Sequence, residues 1–575
     1  MARVAIDANI NGPVKIPSPT TLPNAFLANV SLLNAFLPIT RRGRRGFDRL
    51  VFAAEQTFRF PNNVQTPWGD ATKMRSSIAL ILSLFVLYGL RPKSSEAEDH
   101  VRPNIVLILA DDLGWADLAC YGSDLHETPN LDRLAQQGVR FTDAYSASPV
   151  CTPTRVSILT GKHPARLHMT IWRESALNRG NRQLLEPVCV DSLPTGETTV
   201  AELLRDAGYY NVHLGKWHVG RAEGYPQAHG FHRNIGGTLW GAPQTFWYPF
   251  AGDTYFKDWR YVPDLEPGET GTYLTDVLTD KAINVLRERS ATEQPFYVNL
   301  WYHTVHTPIE GKPDLVRYYE EKIKDHHIQR NPYYAAMVHS LDENVGRVLK
   351  TIDELGISNK TLVVFSSDNG GYVKSCKLHR GLQVANNSPL RSGKGSCYEG
   401  GIRVPLIIRT PNMSGVGTSA ASTSADITSA PRGSGSGMRS GQQCHLPVFS
   451  CDLFPTLLDA AGIERDSARD IDGRSLSPVL NDPNETLNRD ALYFHYPHYY
   501  STTSPVSAIR KGPWKLLEYY EDGRIELYNV DVDQGETSNQ ASSHPDLAAQ
   551  LHAQLRAWRI RVGALEPEWN TAATR

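Results

Sequence analysis

The stretch Asn104-Ile105-Val106-Leu107-Ile108-Leu109-Ala110-Asp111-Asp112 decides the fold class. A strand with one wet face alternates apolar and polar residues; a strand buried on both faces does not. This run therefore predicts a strand inside a covered sheet, ending at two adjacent carboxylates. Downstream, Thr128-Pro129 supplies an N-cap threonine and a first-turn proline for a helix that Gly138 closes. Thr199-Val200-Ala201-Glu202 is a capping box for a second helix, ended by Gly208. Residues 209–214, 296–300 and 361–365 read as further apolar strands. The alternation predicts an α/β fold: a mostly parallel central sheet covered by helices on both faces.

From about residue 485 the texture changes. Residues 492–495, 506–509, 514–519 and 525–530 read as short strands, with a turn signal at Asp522-Gly523. Residues 544–560 read as a helix carrying Leu547, Leu551, Leu555 and Trp558 on one stripe. The expected organisation is a main domain over 100–484 and a smaller C-terminal α+β subdomain with an antiparallel sheet over 485–575. Residues 411–443, rich in Ser, Gly, Thr and Ala, read as a flexible insertion without a core of its own.

Near the start, basic Lys73-Met74-Arg75, an apolar run over 78–90 and Ser94-Ser95-Glu96-Ala97 follow one another. That is the layout of a secretory signal over 74–97. The run is shorter than the roughly 20 residues that span a bilayer. A signal begins a chain, so synthesis from Met74 is expected, with 1–73 a mis-called extension. A membrane or targeting segment at 21–45 is the alternative. Export to the periplasm or the exterior follows from the first reading.

Lys+Arg (59) and Asp+Glu (61) nearly cancel, which argues against a polyanion groove such as a nucleic-acid site. Seven cysteines show neither CxxC nor zinc-finger spacing. Disulfides and free buried thiols both fit Cys120, Cys189, Cys376, Cys397, Cys444 and Cys451.

Polar clusters follow four of the expected strands: Asp111-Asp112, Lys216 with His218, His303 with His306, and Asp368-Asn369. Ligands of open α/β sheets bind beyond the carboxyl ends of the strands, so the four can converge. Asp111, Asp112, Asp368 and Asn369 are hard oxygen donors suited to calcium or magnesium; singly, each pair also reads as a turn or cap. In Cys151-Thr152-Pro153-Thr154-Arg155-Val156-Ser157-Ile158-Leu159-Thr160-Gly161, Pro153 suits a first helical turn and Gly161 the end. Cys151 then sits at an anion-favouring helix N-terminus, with Arg155 one turn on. Lys216 and His218 share a side if the backbone is extended. Lys394, in a glycine-rich loop, reads equally as a solvated charge.

Together these motifs make the chain resemble the type I sulfatases, which share the alkaline phosphatase fold. Cys-x-Pro-x-Arg ending in Leu-Thr-Gly carries the likeness. Pro103 through Gly114, Thr128 through Ala135, Gly215 through His218, His306-Thr307-Pro308, Ser367 through Gly370, and Gly393-Lys394-Gly395 with Glu399-Gly400-Gly401 match in order. The resemblance implies that a maturation enzyme converts Cys151 to Cα-formylglycine. It implies one calcium ion on Asp111, Asp112, Asp368, Asn369 and residue 151. It further implies catalytic and sulfate-binding roles for Arg155, Lys216, His218, His306 and Lys394. The hydrated aldehyde would attack sulfur and carry a covalent sulfate, with His306 protonating the leaving oxygen and His218 deprotonating the second hydroxyl. The expected substrates are sulfated carbohydrates, with aryl sulfates as surrogates. A phosphomonoester or phosphonate hydrolase of the same superfamily and a non-catalytic glycan-binding protein are the alternatives. His163, Arg166, His168, Trp172-Arg173 and His379-Arg380 are the pocket candidates.

Overall fold

In the computed structural model, strand β1 spans Asn104–Ala110, and all but its first residue are buried. Its side chains divide between two cores. Ile105, Leu107 and Leu109 join Val156, Leu159, Val200 and Leu204 on one face. Val106, Ile108 and Ala110 join Leu278, Leu286, Met337 and Leu341 on the other. Period-2 alternation thus delivers every residue after Asn104 to an apolar layer, at about 1.5–3 kcal/mol for each large side chain buried. The structure describes residues 102–177, 181–266, 268–376, 379, 381–411, 441–464, 470–482 and 485–572. The expected extension 1–73, the signal at 74–97, Arg380 and most of the 411–443 insertion lie outside them.

The central sheet adds β2 (Val139–Phe141), β3 (Tyr210–Gly215), β4 (Arg233–Ile235), β5 (Phe296–Trp301), β6 (Thr361–Ser367), β7 (Leu406–Arg409) and β8 (Gln442–Cys444). Their order is β8-β2-β7-β6-β1-β5-β3-β4. Only β7 runs antiparallel to its neighbours, β6 and β2. Helices α1 (Pro129–Gln137), α4 (Leu274–Ser290) and α5 (Pro332–Glu354) pack on one face; α2 (Cys151–Thr160) and α3 (Val200–Asp206) pack on the other. The capping box forms as expected: Thr199 Oγ1 accepts from Glu202 N–H, and the Glu202 carboxylate accepts from Thr199 N–H. Thr128 precedes α1, but its hydroxyl accepts from Ala119 N–H and donates to Asp132 instead of capping the helix. The insertion reading is too wide at its end: residues 442–444 form β8, parallel to β2, and bury Cys444.

The C-terminal antiparallel sheet contains β9 (Leu492–Tyr496), β10 (Val506–Lys511), β11 (Trp514–Tyr519) and β12 (Ile525–Asn529) in that order. One face, with Ile509, Leu516 and Leu527, holds Leu551, Leu555 and Trp558 of helix α6 (Pro545–Val562). The other, with Phe494, Ala508 and Leu517, packs on Tyr145, Val150 and Ile402. Beneath it, the fully buried Lys515 ammonium bridges Glu399 and Glu536, each at 2.9 Å and fully buried. All seven cysteines are unpaired.

Candidate active site

Strands β6, β1, β5 and β3 are consecutive neighbours and mutually parallel. The residues just beyond their carboxyl ends therefore lie side by side: Asp368 and Asn369, Asp111 and Asp112, His303 and His306, Lys216 and His218. Two further elements close the group. Cys151 opens α2, and its sulfur lies 3.3 Å from His218 Nδ1. Lys394 comes from the loop between β6 and β7, and its ammonium donates to Asp112 at 2.9 Å.

Hydrogen bonds knit the carboxylates, Asn369, Arg155, both lysines and His306 into one buried network, beside which Cys151 pairs with His218, while the buried His303 ring has no hydrogen-bond partner among the described residues. Arg155, fully buried, donates through Nε and Nη2 to Asp368 (3.0 and 2.7 Å) and through Nη1 to the Lys216 carbonyl (2.9 Å). Lys216 Nζ donates to both oxygens of Asp111, at 2.9 and 2.8 Å. Asp112 N–H donates to Asp368 Oδ1 (3.2 Å), and Asn369 Nδ2 to Asp112 Oδ1 (2.8 Å). His306 Nε2 lies 3.0 Å from Lys394 Nζ, and its Nδ1 lies 2.8 Å from the Thr307 carbonyl. Asp112 holds a left-handed φ of +62°, a conformation that costs a non-glycine residue energy and recurs at functional sites. At Gly370, a Cβ would lie 1.9 Å from the Gly400 carbonyl oxygen, so the loop carrying Asp368 and Asn369 admits only glycine there.

The charges are unevenly matched. Burial pushes the Asp111 carboxyl well above the ordinary range; Lys216 offsets part of this, while Asp368 and Asp112 add to it. At Asp112 burial acts the same way, but Lys394, His306 and Lys216 together outweigh it and the carboxyl lies below its usual value. Burial likewise opposes ionisation of the Cys151 thiol, yet Lys216, His218 and Lys394 overcome it and hold the thiol at about 6. Asn369 Oδ1 is buried without a donor. Asp111, Asp112 and His306 present ligand atoms within 4.8 Å of one another. An orphaned carbonyl oxygen among buried carboxylates is what a hard cation requires.

A family model named Sulfatase matches residues 103–463, well over half of the chain. The chain belongs to the sulfatase family. A second family model, N-sulphoglucosamine sulphohydrolase, C-terminal, matches residues 436–561. A sulfatase of Formosa agariphila is 31% identical over 561 residues, covering 85% of this chain and 95% of its own. The N-acetylgalactosamine-6-sulfatase of Rattus norvegicus is 30% identical over 471 residues, covering 78% and 79%. The crystal structure of Ps i-CgsB in complex with k-i-k-neocarrahexaose matches with a TM-score of 0.63 at 28% identity, over 80% of this chain and 93% of that one. Membership makes the protein a sulfuric ester hydrolase.

Within this sulfatase, all ten residues singled out from the sequence as catalytic or metal-binding gather at the one site. The shared direction of Lys216 and His218 has another origin than expected, because His218 sits at φ +59° and the backbone there is not extended. Glu174 went unseen in the sequence. Its carboxylate accepts from His218 Nε2 at 2.7 Å and from Gly241 N–H at 3.2 Å. A Cβ at Gly241 would lie 2.3 Å from His218 Cε1, so this glycine presses directly on the ring. Burial favours a neutral His218, but Glu174 and Cys151 outweigh it and raise its pKa.

Several pocket candidates prove structural. Arg166 forks onto Asp472, His163 bonds the Tyr493 carbonyl, and His168 bonds the Gly563 carbonyl; these contacts tie the end of α2 to the C-terminal part. His379 stacks on Tyr333 at 3.7 Å. Trp172 and Arg173, flanking Glu174, stay beside the site.

Proposed function

We propose that this sulfatase hydrolyses sulfate monoesters of carbohydrates, with aryl sulfates as surrogates, through a nucleophile made from Cys151. The observation that carries the reading is the placement of the Cys151 sulfur: at a helix N-terminus, 3.3 Å from His218 Nδ1, in the field of Lys216 and Lys394 and beside three buried carboxylates. An aldehyde at 151, in hydrated form, supplies one hydroxyl to attack sulfur and a second through which sulfate can be released, which no plain thiol offers. Asp111, Asp112, Asp368 and Asn369, with residue 151, would hold a calcium ion, which supplies positive charge to the ionised oxygen and the sulfuryl group.

The chain's own residues divide the remaining tasks. Arg155 fixes Asp368 and the Lys216 backbone and so orients the cation site. Lys216 and Lys394 are preorganised charges for the sulfuryl oxygens. Glu174 can only accept, so His218 carries a proton on Nε2, and a neutral ring offers its bare Nδ1 to residue 151. The Thr307 carbonyl likewise fixes the His306 proton on Nδ1, leaving Nε2 to accept from Lys394. Burial, then Lys394, pushes His306 down to about 3. The leaving oxygen therefore draws its proton from the Lys394–His306 pair.

Parallel assays on matched aryl sulfate and aryl phosphate esters test the reading. Higher kcat/KM on sulfate is expected; a preference for phosphate would overturn it in favour of the phosphoesterase alternative. Release of sulfate from aryl esters, but from no member of a sulfated saccharide panel, would contradict the carbohydrate assignment. Export is proposed from residues 74–97, and maturation by a formylglycine-generating enzyme from residue 151. Among the described residues no helix is long and apolar enough to cross a membrane. N-terminal sequencing of native protein should give a start near residue 98; a start near Ala2 would refute export by this segment.

A further inference from the structure

The segment from Trp240 to Tyr261 packs on His218 and reaches the loop that follows His306. Gly241 packs on the His218 ring. Phe256 N–H bonds the side chain of Gln244, and Thr245 bonds Glu310, just beyond the His306-Thr307 turn. On this segment Trp240 holds two guanidinium groups. Arg173 lies 5.8 Å from its ring centroid and Arg260 lies 5.1 Å away. Arg260 also covers Phe256 at 3.7 Å.

The two cations differ in how they are compensated. Arg260 forks onto Asp258, two residues earlier, at 2.9 and 3.2 Å. The Arg173 side chain forms no hydrogen bond or ion pair among the described residues, and its Nε is buried without a partner. Its backbone is fixed, since Arg173 N–H donates to Thr152 Oγ1, which itself donates to the His218 carbonyl. An arginine pinned one residue from the His218 partner, stacked on an indole and left without an anion, is positioned for a ligand's oxyanion. Guanidinium stacking on an aromatic face leaves the Arg173 N–H edge free for a planar or tetrahedral oxyanion, with Arg260, paired to Asp258, adding positive charge beside it.

We propose that Arg173 and Arg260, held on Trp240, form a subsite for a second anionic group, a carboxylate or sulfate on the sugar adjoining the one that bears the scissile ester. The inference rests on the carbohydrate sulfatase reading and narrows it: the preferred substrates are polyanionic oligosaccharides. A charge-assisted fork from Arg173, in the field of Arg260, favours the doubly charged substrate by about tenfold.

The test uses N-acetylgalactosamine 6-sulfate linked to glucose, to glucuronate or to a sulfated galactose. Mature wild-type enzyme is compared with Arg173→Ala, Arg173→Lys, Arg260→Ala and Trp240→Phe by the ratio of kcat/KM for a charged to an uncharged neighbour. The ratio is expected to reach about ten in the wild type and to fall in both alanine variants, towards one in Arg173→Ala. Arg173→Lys should recover part of it, since it keeps the charge but loses the fork. Whichever of the two charged neighbours loses its advantage identifies the group recognised. Calorimetric titration of the same three sugars into the Cys151→Ala protein gives a readout without turnover. Charge-dependent binding that vanishes in Cys151→Ala/Arg173→Ala supports the subsite even if the hydrolytic reading fails. Equal ratios in wild type and variants, with equal binding of all three sugars, would overturn the subsite while leaving aryl sulfate hydrolysis to stand or fall separately.

Discussion

Glu174→Gln is the most revealing single change. The glutamate holds the His218 Nε2 proton at 2.7 Å, and its other oxygen accepts from Gly241 N–H. Glutamine fills the same space, but Gly241 N–H draws its carbonyl oxygen and turns the amide NH2 towards the ring. His218 Nε2 must then accept, its proton moves to Nδ1, and the nitrogen facing residue 151 can no longer take a proton. Loss of a positioned general base costs about 10²–10⁴ in rate, or about 3–5 kcal/mol of barrier. The assay is stopped-flow release of aryl alcohol from an aryl sulfate. His218 acts on the second hydroxyl, after the ester oxygen has left. The variant should therefore show a burst of about one equivalent per active site and a slow steady state, with KM depressed along with kcat. A steady state as fast as wild type would refute the tautomer argument. Loss of the burst with an unchanged melting temperature would show that Glu174 serves an earlier step.

Other consequences follow from the same geometry. Lys515→Met strands the buried Glu399 and Glu536 carboxylates and should cost about 3–5 kcal/mol in chemical denaturation; an unchanged midpoint would mean that the C-terminal sheet is held by its apolar face alone. Glu536 is pushed up to about 7, by burial first and then by Glu399, with Lys515 only partly offsetting. Its folded pKa lies above the unfolded value, so its contribution to stability is present below about pH 4.5 and is lost as pH rises through 7. Glu536→Gln should flatten the melting temperature over that window, and an unaltered pH profile would contradict it. Asn369→Ala removes the unpaired oxygen and should weaken calcium binding measured by calorimetry on the Cys151 form; wild-type affinity would remove Asn369 from the ligand set.

The legible part of the site was the part governed by strand ends. The runs 104–110, 296–300 and 361–365 announce buried strands, and the polar pairs after them must gather wherever those strands are parallel neighbours. Cys151 and Arg155 were legible because proline and glycine bound their helix. Glu174 was not: it lies in a single turn, Arg173–Ser175, with no periodicity, and its role depends on Gly241, 67 residues away. Direction was equally hidden. His163, Arg166 and His168 follow the nucleophile helix and have pocket-like chemistry, but Asp472, Tyr493 and Gly563 turn them towards the C-terminal part. Sequence adjacency fixes how near a side chain starts, whereas its destination is decided by partners some 300 residues later.

The chemistry turns on what residue 151 is in the working enzyme. Mass spectrometry of tryptic peptide 141–155, from a preparation whose sulfate release has been measured, addresses it directly. An aldehyde mass at residue 151, reactive with a hydrazide probe, is expected in proportion to activity. Full activity from protein whose peptide carries only an unaltered thiol would contradict it.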